Sequence, residues 1–128
     1  MKNNIEKLRM AIILKYGIIY DDVARALAGK TDIRFDRAGF RHLLKRRGGF
    51  RNRKDMRHRV SLIPLIPTIL EKCGSPSEIR GQKEWHGGRL RHVQYFVYKT
   101  QIEDRNICMI TKKIDDGDVH FLSLHEIT

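Results

Sequence analysis

The chain is expected to fold as an α+β domain, with N-terminal helices packed on one face of a C-terminal antiparallel sheet of three to four strands. Two observations predict this. As far as Gly74 the apolar residues recur at i, i+3, i+4 spacing, the helical period, whereas beyond it the apolar runs are short, rich in β-branched and aromatic residues and separated by turn-like clusters. Helices first and strands second give segregated layers. A third observation sets the size: 128 residues, 41% of them hydrophobic, suffice for one core without staples, so residues 1–128 read as one domain.

The elements follow in order. Residues 3–16 read as a helix capped by Asn3 or Asn4, with Ile5, Leu8, Ile12 and Ile13 as its apolar stripe and Gly17 as its end. A second helix over 20–28 turns Val23, Ala24 and Leu27 inward and stops at Gly29. Ile33 and Phe35 alternate with polar residues in a short strand or extended arm. Asp36 then caps a helix with Phe40, Leu43 and Leu44 on one face, expected to run to Gly48-Gly49. The glycine-led, cationic stretch after it reads as a mobile loop leading to a further helix. Pro64 and Pro67 kink the apolar stretch that follows, leaving a short helix from Pro67 to Lys72 stopped by Gly74. Three strands come next, within 89–100, 106–114 and 118–127, and residues 78–85 supply a fourth.

Charge is placed unevenly. Of the net +11, most sits between Arg37 and Arg59, where ten Lys or Arg face a single acid, Asp55. Such a patch suits a polyanion, and nucleic acid is favoured over an anionic membrane surface. No apolar run has the length of a bilayer span, no signal-peptide pattern opens the chain, and the expected compartment is the cytoplasm. Cys73 and Cys108 are isolated and read as reduced.

Six histidines raise the question of metal. His120 and His125, five apart on one strand, are expected to face opposite ways, and no H-x-x-x-H or Cys/His cluster exists, so neither metal nor other cofactor is expected. Phosphate-loop, dinucleotide and acyl-transfer motifs are absent as well. What the residue types do suit is metal-free phosphodiester chemistry on RNA. There a base takes the 2′-OH proton, cations stabilise the phosphorane charge, and an acid protonates the leaving oxygen. His42 is placed for this, as base or acid, between Lys45 and Arg46 on the helix side opposite Phe40, where those two and Arg41 are the expected phosphate and transition-state cations. Ser123 and His125 are expected on one strand face together with Phe121, one or the other supplying the opposite partner, and Tyr98 and Lys99 add a phenol and an ammonium. Phosphate contacts fall to Arg37, Arg41, Arg47, Arg51, Arg53, Lys54, Arg57 and Arg59.

The order of these pieces carries a resemblance. Asp32-Ile33-Arg34-Phe35, then Phe40-Arg41-His42-Leu43-Leu44-Lys45-Arg46-Arg47, a basic loop, Leu62-Ile63-Pro64 through Leu70, and Ser75-Pro76-Ser77-Glu78-Ile79 before the strands look like the phage-associated branch of the barnase/EndoU/colicin/RelE-like nucleases. The likeness spans about residues 30–128, and implies that these form the nuclease-like core and that the helices of 1–29 are an N-terminal extension. It implies a small metal-independent ribonuclease of toxin or mobile-element type, its groove lying between the His42 helix and the sheet, with an acidic antitoxin or immunity protein as partner. Where that branch has a second histidine on the helix, this chain has Arg47.

Two rivals share the charge argument. Residues 23–47 can be read as a helix-turn-helix, with Arg37, Arg41 and Lys45 reaching a DNA major groove and the strands as a wing, although residues 30–35 make a long turn. A non-catalytic RNA-binding module is the other, and it would need aromatics stacked on one sheet face. Tyr95 and Phe96 face opposite ways.

Overall fold

The computed structural model describes residues 4–127, and within them the expected α+β architecture is present: four α-helices and a four-stranded antiparallel sheet that some of them cover. Asn3, one of the two expected caps, lies outside the described residues.

The two expected N-terminal helices are one. Helix α1 spans Asn4–Leu27 and passes through Gly17 without a break. A mid-helix glycine costs only about 1 kcal/mol, no proline intervenes, and the inward positions Ile12, Tyr20 and Leu27 continue on one face across it. Gly17 is a packing site instead, because a Cβ there would already touch the Phe40 ring at 3.6 Å.

The extended arm forms as expected, and its partner is the last strand. Arg34 N–H donates to Val119 C=O and Phe121 N–H to Arg34 C=O, each at 2.8 Å. Helix α2, Arg37–Leu44, follows, with the Asp36 side chain accepting from Gly39 N–H at 3.0 Å. Its end differs from the expectation. The helix stops at Leu44, and Lys45–Arg46 (β1) pairs with Gly49–Phe50 (β2) in a small hairpin, for which Gly48 and Gly49 supply φ of +96° and +141°. The stretch beyond the hairpin is not a loop either. Asn52 caps helix α3, Arg53–Val60, whose Met56 and Val60 are fully buried. A 3-10 turn at Ile63–Leu65 and helix α4, Ile66–Cys73, resolve the proline-kinked stretch, with Gly74 as the left-handed stop at φ +67°.

Strands β3 (Glu78–His86), β4 (Arg89–Ile102), β5 (Arg105–Ile114) and β6 (Val119–Ile127) form the sheet in sequence order. Ile102, Ile107, Met109, Phe121 and Leu124 face the helices and close one core with Tyr20, Phe40, Leu43, Ile63 and Ile66. Tyr20 is central to it: its ring meets Phe35, Phe40 and Phe121, and its hydroxyl donates to the Asp36 carbonyl at 2.8 Å.

Register overturns two expectations about β6. Ile110 pairs with Ser123 but Thr111 with Phe121, so Leu122 is an extra residue and the alternation inverts there. Phe121 therefore faces the helices, while Ser123 and His125 point to the opposite, open face, not to the same side as Phe121. For the same reason His120 and His125, partners of Lys112 and Cys108, share the open face. Four residues of β5 still separate them, roughly 13 Å, and among the described residues no group of metal-binding side chains occurs.

Candidate active site

The site begins with a close approach. A Cβ on Gly39 would sit 2.6 Å from the Phe121 carbonyl oxygen and 2.8 Å from its ring, so only glycine lets α2 lie this near β6. One turn later comes His42. Its backbone carbonyl accepts from Arg51 Nε at 3.4 Å and Nη2 at 3.3 Å. Arg51 is only 9% exposed and donates from Nη1 to Asp55 at 3.3 Å. The other Asp55 oxygen accepts from Arg59 Nε at 3.1 Å, and Arg59 Nη1 reaches Ser123 Oγ at 3.4 Å. One carboxylate thus holds two guanidiniums beneath the end of α2 and beside β6. Its own pKa lies below the usual value: burial pushes it up, but the hydrogen bond from Arg59 and the charges of both arginines outweigh that.

Both candidate histidines face this pair. Partial burial of the His42 ring lowers its pKa, and the charges of Arg51, Arg59 and Lys112 lower it further. His125 is lowered by burial and by Arg59 and Arg51, with Asp55 opposing. Its Nδ1 is buried without a hydrogen-bond partner among the described residues. The cationic setting expected for His42 exists, yet other residues make it. Lys45 and Arg46 are not on the helix. Lys45 Nζ lies 4.8 Å from the centre of the Phe50 ring, and Arg46 acts at a distance, lowering the Arg51 pKa after burial and Arg59.

Sequence reasoning missed a second group on the open face. Glu84 accepts hydrogen bonds from Tyr95 Oη and Gln82 Nε2, and lies 3.0 Å from His86 Nε2 and 3.5 Å from Lys112 Nζ. Led by the Tyr95 bond, these hold its pKa down to about 2, while burial and then Glu84 push Tyr95 up to about 12. Lys112, cross-strand from Tyr95 and His120, joins this carboxylate to the His42 side. The phenol on this face is Tyr95. Tyr98 packs against the helical core, while Lys99, paired with Cys108, keeps its place on the open face.

The cations expected to hold phosphate separate into groups. Arg51 and Arg59 are tied into the site and are not the freely moving loop cations expected. Arg53, Lys54 and Arg57 stand on another side of α3 and, with Arg9 and His58, line a cleft of about 920 Å³ against α1. Arg37, Arg41 and Arg47 are exposed on α2 and at the hairpin tip. Among the described residues no helix is long and apolar enough to cross a membrane. Comparison of the chain with family models, with curated proteins and with solved structures gives no match.

Proposed function

We propose that the protein is a metal-independent endoribonuclease of toxin or mobile-element type, acting on the open sheet face beside the C-terminal end of α2. The observation that carries this reading is the Arg51–Asp55–Arg59 network, which bonds to the His42 carbonyl at one end and to Ser123, two residues before His125, at the other, so that both imidazoles feel the same two guanidiniums. In the reaction the 2′-oxygen attacks phosphorus, the P–O5′ bond breaks, and the products are a 2′,3′-cyclic phosphate and a 5′-hydroxyl. His42, kept neutral by partial burial and then by its cationic neighbours, takes the 2′-OH proton. His125 delivers a proton to the departing 5′-oxygen. Arg51, Arg59 and Lys112 meet the charge that grows on the phosphorane, in positions already set by Asp55, Ser123 and Glu84. Arg46 and the outer cations Arg37, Arg41, Arg47, Arg53, Lys54 and Arg57 hold the RNA backbone, and an acidic antitoxin or immunity protein would bind over the same charges.

The helix-turn-helix reading has less support. Residues 20–27 belong to α1, no tight turn joins them to α2, and α2 is only eight residues long. Purified protein with excess EDTA should cleave RNA, spare the all-deoxy analogue and leave cyclic or 3′-phosphate ends. Tight binding to a duplex DNA site without RNA cleavage would remove the proposal.

A further inference from the structure

The two edges of the sheet differ. The β6 edge is covered by the Arg34 arm and α2, whereas β3 is bonded to β4 on one side and to nothing among the described residues on the other. Strand β3 is nine residues long, its register with β4 runs without a shift, and it contains no proline. Such an edge lacks the proline, the bulge and the covering segment that usually discourage strand addition, and keeps only charges of both signs. Its side chains also suit a particular neighbour. Ile79 and Trp85 are 58% and 72% exposed on one face, beside Leu90 at 51%, and the strand's charges, Glu78, Arg80, Lys83 and Glu84, cancel in a chain of net +11.

Turned antiparallel to itself about Gln82, the strand is self-complementary. Arg80 falls opposite Glu84, Glu78 opposite His86 and Ile79 opposite Trp85, each pair occurring twice. A shift of one residue in this pairing would set Trp85 against Glu78 or Arg80 and Ile79 against Glu84 or His86. We propose that two copies of the chain join here, β3 to β3, into one eight-stranded sheet. The fit of charges and apolar residues selects a second copy over an unrelated strand. The two β6 strands then lie seven strand spacings apart, roughly 33 Å, on one continuous face. This holds whether or not the open face cleaves RNA.

Sedimentation of the full chain over a concentration series tests it, with emission of the single tryptophan, Trp85, as a second readout. A monomer–dimer equilibrium is expected, with a blue shift on association. Ile79→Lys and Trp85→Asp should each weaken the dimer roughly tenfold or more, because each removes two symmetry-related pairs. Both in one chain should restore it, since 79 meets 85 only across the interface. Arg80→Glu, which sets a carboxylate against the partner's Glu84, gives an independent weakening should either apolar site prove intolerant. A monomer at every concentration overturns the proposal. So does a dimer indifferent to these changes, or one that the double variant fails to restore.

Discussion

The cations of the 37–59 segment divide into two kinds that composition treats alike. Arg51 and Arg59 have side chains 10% and 20% exposed and are fixed by one carboxylate. Arg53, Lys54 and Arg57, on the same short helix or next to it, are exposed on another side. The first pair has already lost its conformational freedom on folding, so it can stabilise a transition state without rearranging. The second group must be ordered by the ligand and can only add attraction. A dense run of arginine is therefore two devices, and burial tells them apart.

The largest effect should come from the histidines that face the fixed pair. His42→Ala is expected to lower kcat on RNA by roughly 10²- to 10⁴-fold with little change in affinity, as for a lost general base. His125→Ala should fall in the same range. Equal cleavage by wild type and the His42 variant would end its assignment. Because both imidazoles are pushed below the ordinary 6.5, base and acid limbs should both lie on the acidic side. The sign is definite: the base gains as pH rises through its lowered pKa and the acid loses as pH rises through its own, so kcat/KM should peak below pH 6.5. A plateau extending above pH 7.5 would break this pairing.

Next in size is the loss of the shared carboxylate. Asp55→Asn keeps the volume but removes the charge and one of the two acceptors, so that an N–H donor is turned toward one guanidinium, and misplacement of that kind costs on the order of 10- to 10²-fold in kcat. The pH profile should move too, because Asp55 opposes the lowering of His125, and its removal should carry that limb further down. Asp55→Glu should recover part of the loss. An unchanged kcat in Asp55→Asn would make the fixed and free cations equivalent. Gly39→Ala acts further back, by forcing α2 off the Phe121 carbonyl. It should destabilise the fold by about 1–3 kcal/mol and lower activity with it, read by denaturant titration.

How far the sequence discloses this depends on the range of each signal. Asp36 as a cap, Gly74 as a stop and the β-branched strands are local, and each stands where it was expected. The bulge at Leu122 is not local. It exists because Phe121 and Leu124 both turn toward the helices, a demand of packing that no alternation pattern states, and it decides which face receives Ser123 and His125. The continuity of α1 through Gly17 and the burial of Arg51 likewise depend on distant partners. Glu84 was within reach: Glu78, Arg80, Gln82, Glu84 and His86 stand at every second position, which marks a polar face on that strand.

The smallest expected effect probes the free cations alone. Replacing Arg53, Lys54 and Arg57 together by Gln should leave kcat and the pH optimum unchanged, because none of them contacts the Asp55 network. What should change is the dependence of binding on salt. Each phosphate neutralised on a single strand contributes about 0.7 to the slope of log affinity against log salt, so removing three contacts should flatten it by about 2. The loss should be similar for all sequences, since backbone contacts position without specifying. His42→Ala should leave that slope as it is, because a neutral imidazole displaces no counterion. If the triple variant lost kcat at saturating RNA while keeping the slope, the cleft between α1 and α3 would belong to the chemistry, and the division between fixed and free cations would fail.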